Sequence, residues 1–195
     1  MVKGTSTALI TPFTKDEIDF DALENLIGFQ IENGIKSVVL LGTTGEPATL
    51  SIEEKIAIVK FVKEKANGRL QLIVGTGSNS TSDAIRNSKI FEDLGADVLL
   101  IVTPYYNKCT QSGLIKHYTA IANSVSTPII CYNVPSRTGV NMLPQTFATL
   151  AKHKNIVGIK ESCGNLEQIE EVIRLAGKDA DVISGDASLT VPIIS

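Results

Sequence analysis

The sequence has little of what several classes of protein require. Its three cysteines, Cys109, Cys131 and Cys163, form an odd set with no CxxC spacing, which argues against a disulfide framework and against a zinc site. No apolar stretch approaches the ~20 residues of a membrane span, and residues 1–13 carry too short an apolar run for a signal peptide. The net charge is −3 and the basic residues are scattered, so neither nucleic acid nor a membrane is an expected partner. We expect an untargeted, cytoplasmic protein that acts on a small molecule.

Motifs of the common hydrolases and dehydrogenases are missing as well. The sequence contains neither GxSxG nor HExxH, and its only histidines, His117 and His153, fall in helical patterns. The segment GTGSNS at 75–80 lacks the last glycine of the dinucleotide-binding fingerprint GxGxxG. These absences argue against serine or cysteine hydrolases, metal-dependent hydrolases and dinucleotide-binding dehydrogenases.

What the sequence does contain is a regular alternation of short apolar runs with amphipathic stretches, which is typical of parallel βα units. One domain over residues 1–195 is expected, because no linker or change in composition interrupts the alternation. The runs VLLIVT and PIICYNV are apolar throughout, as strands buried on both faces are. This pattern fits either a doubly wound open sheet or a (β/α)8 barrel, and periodicity alone leaves both open. The predicted strands are 6–10, 37–41, 71–74, 97–103, 128–134, 156–160 and 181–184.

The intervening helical patterns begin at residues that can cap a helix. Ser51, followed three residues later by Glu54, is typical of a capping box. The predicted helices include 21–33, 51–66, 80–94 and 111–125.

Polar residues collect where these strands end. In a barrel or an open sheet, the carboxyl ends of parallel strands carry the active site, so these motifs are expected to share one edge. The motifs are GTTGE at 42–46, GTGSN at 75–79, TPYYN at 103–107, YNVPSRTG at 132–139, KES at 160–162 and SGD at 184–186.

Lys160 is the candidate nucleophile, since it ends the apolar strand IVGIK while most other lysines lie in helical stretches. An amine attacks only when deprotonated, and partial burial in an apolar pocket favours that form. Tyr132 ends the preceding strand, where its phenol could move protons during Schiff-base formation. A lysine that extends from a strand end to water and a tyrosine that only fills the core are the alternatives.

Three further residues have chemistry suited to an acidic substrate. Arg137 offers a planar fork of donors that matches a carboxylate, although a loop arginine can also be merely solvated. Thr43 and Thr44, between glycines, can present hydroxyl and backbone N–H groups to a small anion, or they can form a tight turn with no ligand.

Five of these motifs, in their order along the chain, resemble those of the dihydrodipicolinate synthase family, within the N-acetylneuraminate lyase superfamily. They are GTTGE, TPYYN, YNVPSRTG, GIKES and SGD, and the resemblance runs along the entire chain. The arginine of YNVPSRTG and the second threonine of GTTGE favour the synthase over the lyase branch. A related pyruvate-dependent lyase or keto-acid aldolase is the alternative enzyme.

The resemblance implies a (β/α)8 barrel and a class I aldol condensation of pyruvate with aspartate semialdehyde, giving 4-hydroxy-tetrahydrodipicolinate, with no metal or organic cofactor. Lys160 would form the Schiff base. Tyr132, Thr43 and Tyr106 would relay protons, with Tyr106 reaching into a neighbouring subunit of a homo-oligomer.

The remaining implied roles concern substrate binding and regulation. Thr43 and Thr44 would hold the pyruvate carboxylate, Arg137 the carboxylate of the semialdehyde, and Gly185 would shape the pocket. Ile52 and Lys55 stand where lysine-inhibited members carry histidines, so weak or absent inhibition by lysine is expected. The positions that match the inhibitory pocket are Ala48, Thr49, Asn79, Asp83 and Tyr105.

The chain departs from the family in length, because a complete barrel usually needs ~250 residues. Seven predicted strands leave the barrel incomplete, with the eighth unit and the family's C-terminal helical segment missing. The first and seventh strands would each keep an unpaired edge. We therefore expect a truncated form, and a catalytically inactive assembly fragment is the alternative from a different class.

Overall fold

The computed structural model describes residues 4–15 and 17–191. Residues 1–3, 16 and 192–195, which the single-domain prediction includes, lie outside the described residues. Each strand of the main sheet lies within two residues of its predicted bounds. The strands are β1 (Ser6–Ala8), β2 (Phe13–Thr14), β3 (Glu17–Ile18), β4 (Ser37–Leu40), β5 (Gln71–Gly75), β6 (Val98–Val102), β7 (Ile129–Asn133), β8 (Ile156–Glu161) and β9 (Asp181–Ser184).

The predicted helices are present, and three shorter ones that we did not predict lie between β7 and β9. Each predicted helix is within three residues of its expected bounds. The helices are α1 (Phe20–Glu32), α2 (Ile52–Ala66), α3 (Thr81–Asp93), α4 (Gln111–Ala122), α5 (Pro135–Thr138), α6 (Pro144–Leu150) and α7 (Leu166–Ala176).

Hydrogen bonds order the main sheet as β1, β4, β5, β6, β7, β8 and β9, the order of the chain. A doubly wound sheet would reverse its strand order at a switch point, so this order selects the barrel topology between the two candidates. Within the described residues this sheet has seven strands, one fewer than a (β/α)8 barrel contains, and β1 and β9 are its terminal strands, as expected. β2 and β3 form a separate antiparallel pair.

The described residues divide into two compact units. The first comprises residues up to 75 together with 90–99. In it β4 pairs in parallel with both β1 and β5, and all four β4 side chains are buried. Ser51 begins α2 with the predicted capping box: the Glu54 N–H donates to Ser51 Oγ, while the Ser51 N–H donates to the Glu54 carboxylate. Local sequence therefore sets where this helix starts.

The second unit comprises 76–89 and 100–191 of the described residues. Here β8 pairs in parallel with β7 and β9, which places residues of three successive strand ends side by side. Its core is apolar and includes Ile121, Ile129 and Ile159, each with no exposed surface. Burial of this kind stabilises a fold by roughly 1.5–3 kcal/mol per large aliphatic side chain.

The prediction that His153 lies in a helix was wrong. His153 lies in a bend, because α6 already ends at Leu150 after about two turns.

Within the described residues, no helix is both long enough and apolar enough to cross a membrane.

Candidate active site

Lys160 and Tyr132 are direct partners across β7 and β8. The Lys160 Nζ lies 4.5 Å from the centroid of the Tyr132 ring, a distance at which an ammonium group is attracted to the ring face. Tyr132 is 7% exposed and Lys160 is half-buried, so the amine sits at the border of the apolar sheet. The pairing that the sequence suggested for these two residues is therefore formed.

The segment that carries Arg137 is held against the end of β6. The Thr103 N–H donates to the Tyr132 carbonyl oxygen at 3.1 Å, and the hydroxyls of Thr103 and Thr138 are 3.2 Å apart. Arg137 lies in the one-turn helix α5, which starts at Pro135, and it is exposed. Among the described residues no carboxylate forms an ion pair with it, so its guanidinium is available for an acidic ligand.

Tyr106 follows β6 in a turn with a left-handed backbone, φ 71°, and its side chain is 86% exposed. An aromatic side chain this exposed contributes little to the core of its own unit. Its position is compatible with a contact outside the chain, which is where the resemblance placed it.

Gly185 directly follows β9 and lies close to the Lys160 side chain. A Cβ atom on Gly185 would lie 2.7 Å from the Lys160 Cε and closer still to the Ser162 Oγ. The Gly185 N–H donates to the Glu161 carbonyl oxygen at 2.7 Å, which holds the glycine at this short distance. A side chain at this position would therefore displace the Lys160 Cε and the Ser162 hydroxyl.

Thr43 and Thr44 lie in the other compact unit, in an exposed single turn of 3-10 helix, Thr43–Gly45, that follows β4. Leu41, directly after β4, adopts a left-handed φ of 55°. A Cβ on Gly75 would collide with the Leu41 carbonyl oxygen, so this turn depends on a glycine in β5. The two hydroxyl-bearing residues are thus presented at the carboxyl end of their strand, as predicted.

The residues that match the inhibitory pocket fall in two places. Ala48 and Thr49 are exposed in the 3-10 turn Pro47–Thr49 of the first unit. Asn79, Asp83 and Tyr105 belong to the second unit, where Asp83 pairs with Arg86 at 2.7 Å.

Sequence reasoning missed two buried polar groups beside Lys160. Glu161 has no exposed surface, and burial raises the pKa of its carboxyl while a hydrogen bond from Asn133 opposes that rise. The Ser162 hydroxyl is buried without a hydrogen-bond partner among the described residues. A charged residue directly after the candidate nucleophile, on the opposite face of the strand, is the signal that could have identified Glu161.

A third buried group, His117, belongs to α4. Its Nδ1 is 2.9 Å from the Thr81 hydroxyl and its Nε2 has no partner within the described ranges. Burial lowers the pKa of His117 to about 4. No group of three or more potential metal-ligating side chains occurs in the part of the chain that the structure describes.

Comparison with known proteins places this geometry in a family. The model of the dihydrodipicolinate synthetase family matches residues 1–195. Two curated relatives, from Geobacter metallireducens and Geobacter sulfurreducens, are each named 4-hydroxy-tetrahydrodipicolinate synthase and are 52% and 53% identical over 195 residues. Each alignment covers 100% of this chain and 67% of the relative.

A solved structure of a dihydrodipicolinate synthase has the same fold over this chain. The chloride-inhibited dihydrodipicolinate synthase from Acinetobacter baumannii, complexed with pyruvate, superposes with a TM-score of 0.97 at 45% identity. The match covers 100% of this chain and 67% of that one.

The fold and the strand-end lysine define an incomplete barrel of the aldolase kind. The chain belongs to the dihydrodipicolinate synthetase family. It spans about two thirds of the length of the curated relatives it matches, and the names of these relatives favour the synthase over the lyase alternative.

Proposed function

We propose that this chain carries the chemistry of a class I aldolase that condenses pyruvate with aspartate semialdehyde to give 4-hydroxy-tetrahydrodipicolinate, a step toward diaminopimelate and lysine. The observation that carries the proposal is the Lys160 amine 4.5 Å from the centre of the Tyr132 ring on the neighbouring strand. The names of the Geobacter relatives and the pyruvate in the Acinetobacter structure support it.

The reaction starts when the neutral Lys160 amine adds to the ketone carbon of pyruvate. The resulting carbinolamine loses water to give an iminium, and loss of a proton from the methyl group gives an enamine that forms the new carbon–carbon bond with the aldehyde. Adding a proton to the carbinolamine oxygen and removing it elsewhere needs a positioned hydroxyl. Tyr132, packed against Lys160, is the group that we assign to this task.

The family resemblance assigns further residues to the recognition of the two acids. The exposed guanidinium of Arg137 suits the carboxylate of the semialdehyde, because it can donate two parallel hydrogen bonds. Thr43 and Thr44 would bind the pyruvate carboxylate through hydroxyl and backbone N–H groups, and Thr43 would join the proton relay.

Tyr106 completes the proposed relay from a neighbouring subunit, so the active form would be a homo-oligomer, either a dimer or a tetramer. Its exposed side chain and left-handed backbone support this assignment. The proposed compartment is the cytoplasm, where the substrates of amino-acid biosynthesis are found.

Inhibition by lysine is proposed to be weak or absent. Lys55 carries a positive charge where sensitive members have a histidine, and Ile52 offers no hydrogen-bonding group there. A titration of the condensation rate with lysine tests this, and half-inhibition at submillimolar lysine would contradict it.

The decisive experiment is reduction with borohydride in the presence of pyruvate, followed by intact and peptide mass spectrometry. A pyruvate-derived mass on the peptide that contains Lys160, absent from a K160R variant, is the expected result. A folded sample that gives no adduct, or an adduct on another lysine, would refute the assignment. Adding aspartate semialdehyde before the reductant then tests the second substrate, because condensation removes the trapped species.

A further inference from the structure

A carboxylate with no exposed surface lies directly behind the proposed nucleophile. Successive residues of a strand point to opposite faces, so Glu161 projects away from the side of β8 that carries Lys160. A fully buried carboxylate is rare unless it is paired or hydrogen-bonded, because removing its charge from water costs several kcal/mol. Glu161 therefore needs specific partners.

One of its partners is Asn133 on β7. The Asn133 Nδ2 lies 3.2 Å and 3.1 Å from the two carboxylate oxygens of Glu161. Asn133 and Glu161 are paired in the register of β7 and β8, one step beyond the pair formed by Tyr132 and Lys160. The two pairs are thus neighbours along the same strands, one on each face.

Asn133 is itself fixed by a wider set of hydrogen bonds. Its Oδ1 accepts the Met142 N–H at 2.9 Å, and its Nδ2 donates to the Asn141 Oδ1 at 2.9 Å. Asn141 and Gln168 exchange two hydrogen bonds through their side-chain amides, at 2.8 Å and 3.0 Å. The buried carboxylate is therefore linked through Asn133 to the segment 141–142 and to α7.

The backbone on both sides of Glu161 is tied to its neighbours as well. The Ser162 N–H donates to the Asn133 carbonyl oxygen at 2.9 Å, and the Gly185 N–H donates to the Glu161 carbonyl oxygen. These bonds lie where β8 ends, and strand ends open most easily. The side-chain network stabilises the last residues of β7 and β8 at the point where Lys160 meets Tyr132.

We infer that Glu161, acting through Asn133, is a positioning residue that holds the Lys160 amine over the Tyr132 ring. The effect of this positioning on catalysis rests on the proposed function. The positioning of the Lys160 amine itself can be measured without substrate. An ionised carboxylate presents only acceptors to the Asn133 amide, whereas a glutamine there would turn its own NH2 group toward another NH2 group or lose one of the two contacts. Glu161→Gln therefore disturbs the network while keeping the size of the side chain.

Two measurements on the full chain test the inference. The first is the acetylation rate of Lys160 by acetic anhydride relative to that of Lys116, an exposed lysine of α4, in the same folded sample. The second is the rate of pyruvate adduct formation under borohydride. Unfolding exposes Lys160 while Lys116 is exposed in either state, so the ratio is compared only under conditions in which denaturation curves show each variant to be fully folded.

For Glu161→Gln we expect the relative acetylation of Lys160 to rise at least threefold, because the amine leaves the ring face, and adduct formation to slow at least tenfold. The matched control Glu170→Gln removes the same charge from an exposed position of α7 and should behave as wild type. In the double variant Asn133→Asp with Glu161→Gln, the glutamine NH2 again faces a carboxylate, so both readouts should return part of the way to wild type.

A Glu161→Gln variant with wild-type relative acetylation overturns the inference. If that variant does not fold, Asn141→Ala, which removes only the outer part of the network, decides the matter: the same rise supports the inference, and an unchanged ratio overturns it. A wild-type chain that gives no pyruvate adduct contradicts the proposed function, while the acetylation ratio still shows whether Glu161 positions the lysine.

Discussion

The Lys160 Nζ lies over the ring of Tyr132, 4.5 Å from its centroid, because the two residues are paired across adjacent parallel strands. The same register sets Asn133 against Glu161 on the opposite face. One strand pairing therefore places the proposed nucleophile, Lys160, beside a phenol and a buried carboxylate on the opposite face.

Replacing Tyr132 by phenylalanine should slow formation of the pyruvate adduct on Lys160 by about 10²–10⁴-fold, the usual contribution of a general acid or base. The ring and its contact with the amine remain, so stability should change little. Quenching with borohydride at successive times measures the rate. Tyr118→Phe is the contrast, since that hydroxyl donates to the Ile101 carbonyl oxygen in the core. It should lower stability by about 1 kcal/mol without slowing adduct formation per folded molecule.

Replacing Gly185 by alanine should reduce adduct formation on Lys160 at least tenfold, because the new methyl group would displace the Lys160 Cε and the Ser162 hydroxyl. Gly28→Ala in α1 is the matched control, since nothing lies within 4 Å of the added Cβ. That substitution should stabilise the chain by about 0.5–1 kcal/mol, as alanine does in a helix interior. Equal adduct rates in the two variants would contradict the proposed role of Gly185.

The positions of the strand-end residues could be predicted from sequence because parallel strands gather their carboxyl ends at one edge, and the structure pairs Lys160 with Tyr132 there. The interaction between Asn133 and Glu161 could not be predicted from sequence, because it depends on which positions are paired across β7 and β8. The period of two residues shows which face a side chain occupies, but it does not show its partner on the next strand. The short helices α5 and α6 were missed because each spans too few residues for a helical period to emerge.

The capping box of α2 predicts a local stability effect. Ser51→Ala removes the acceptor for the Glu54 N–H and should destabilise the chain by about 1 kcal/mol, whereas Ser51→Asp keeps an acceptor and should retain most of the stability. Chemical denaturation of the three proteins measures the difference. Equal loss in both variants would mean that the cap does not contribute as its geometry indicates.

His117 predicts how stability depends on pH. Its pKa is about 4 in the folded chain and near 6.5 when unfolded, so between these values the unfolded chain binds the proton that the folded chain excludes. Stability contributed by the neutral histidine is therefore present above pH 6.5 and is lost as the pH falls toward 4, by roughly 2–3 kcal/mol in total.

Asparagine is the variant that isolates this effect, because its side chain can keep a hydrogen bond to the Thr81 hydroxyl but does not titrate. Free energies of unfolding measured by denaturant between pH 4 and 8 should fall less steeply on the acid side in His117→Asn than in wild type. If the two curves run parallel, protonation of His117 does not drive acid unfolding. In that case the buried Nε2, which has no hydrogen-bond partner among the described residues, would accept a proton while the fold stays intact, although burial disfavours the charged ring.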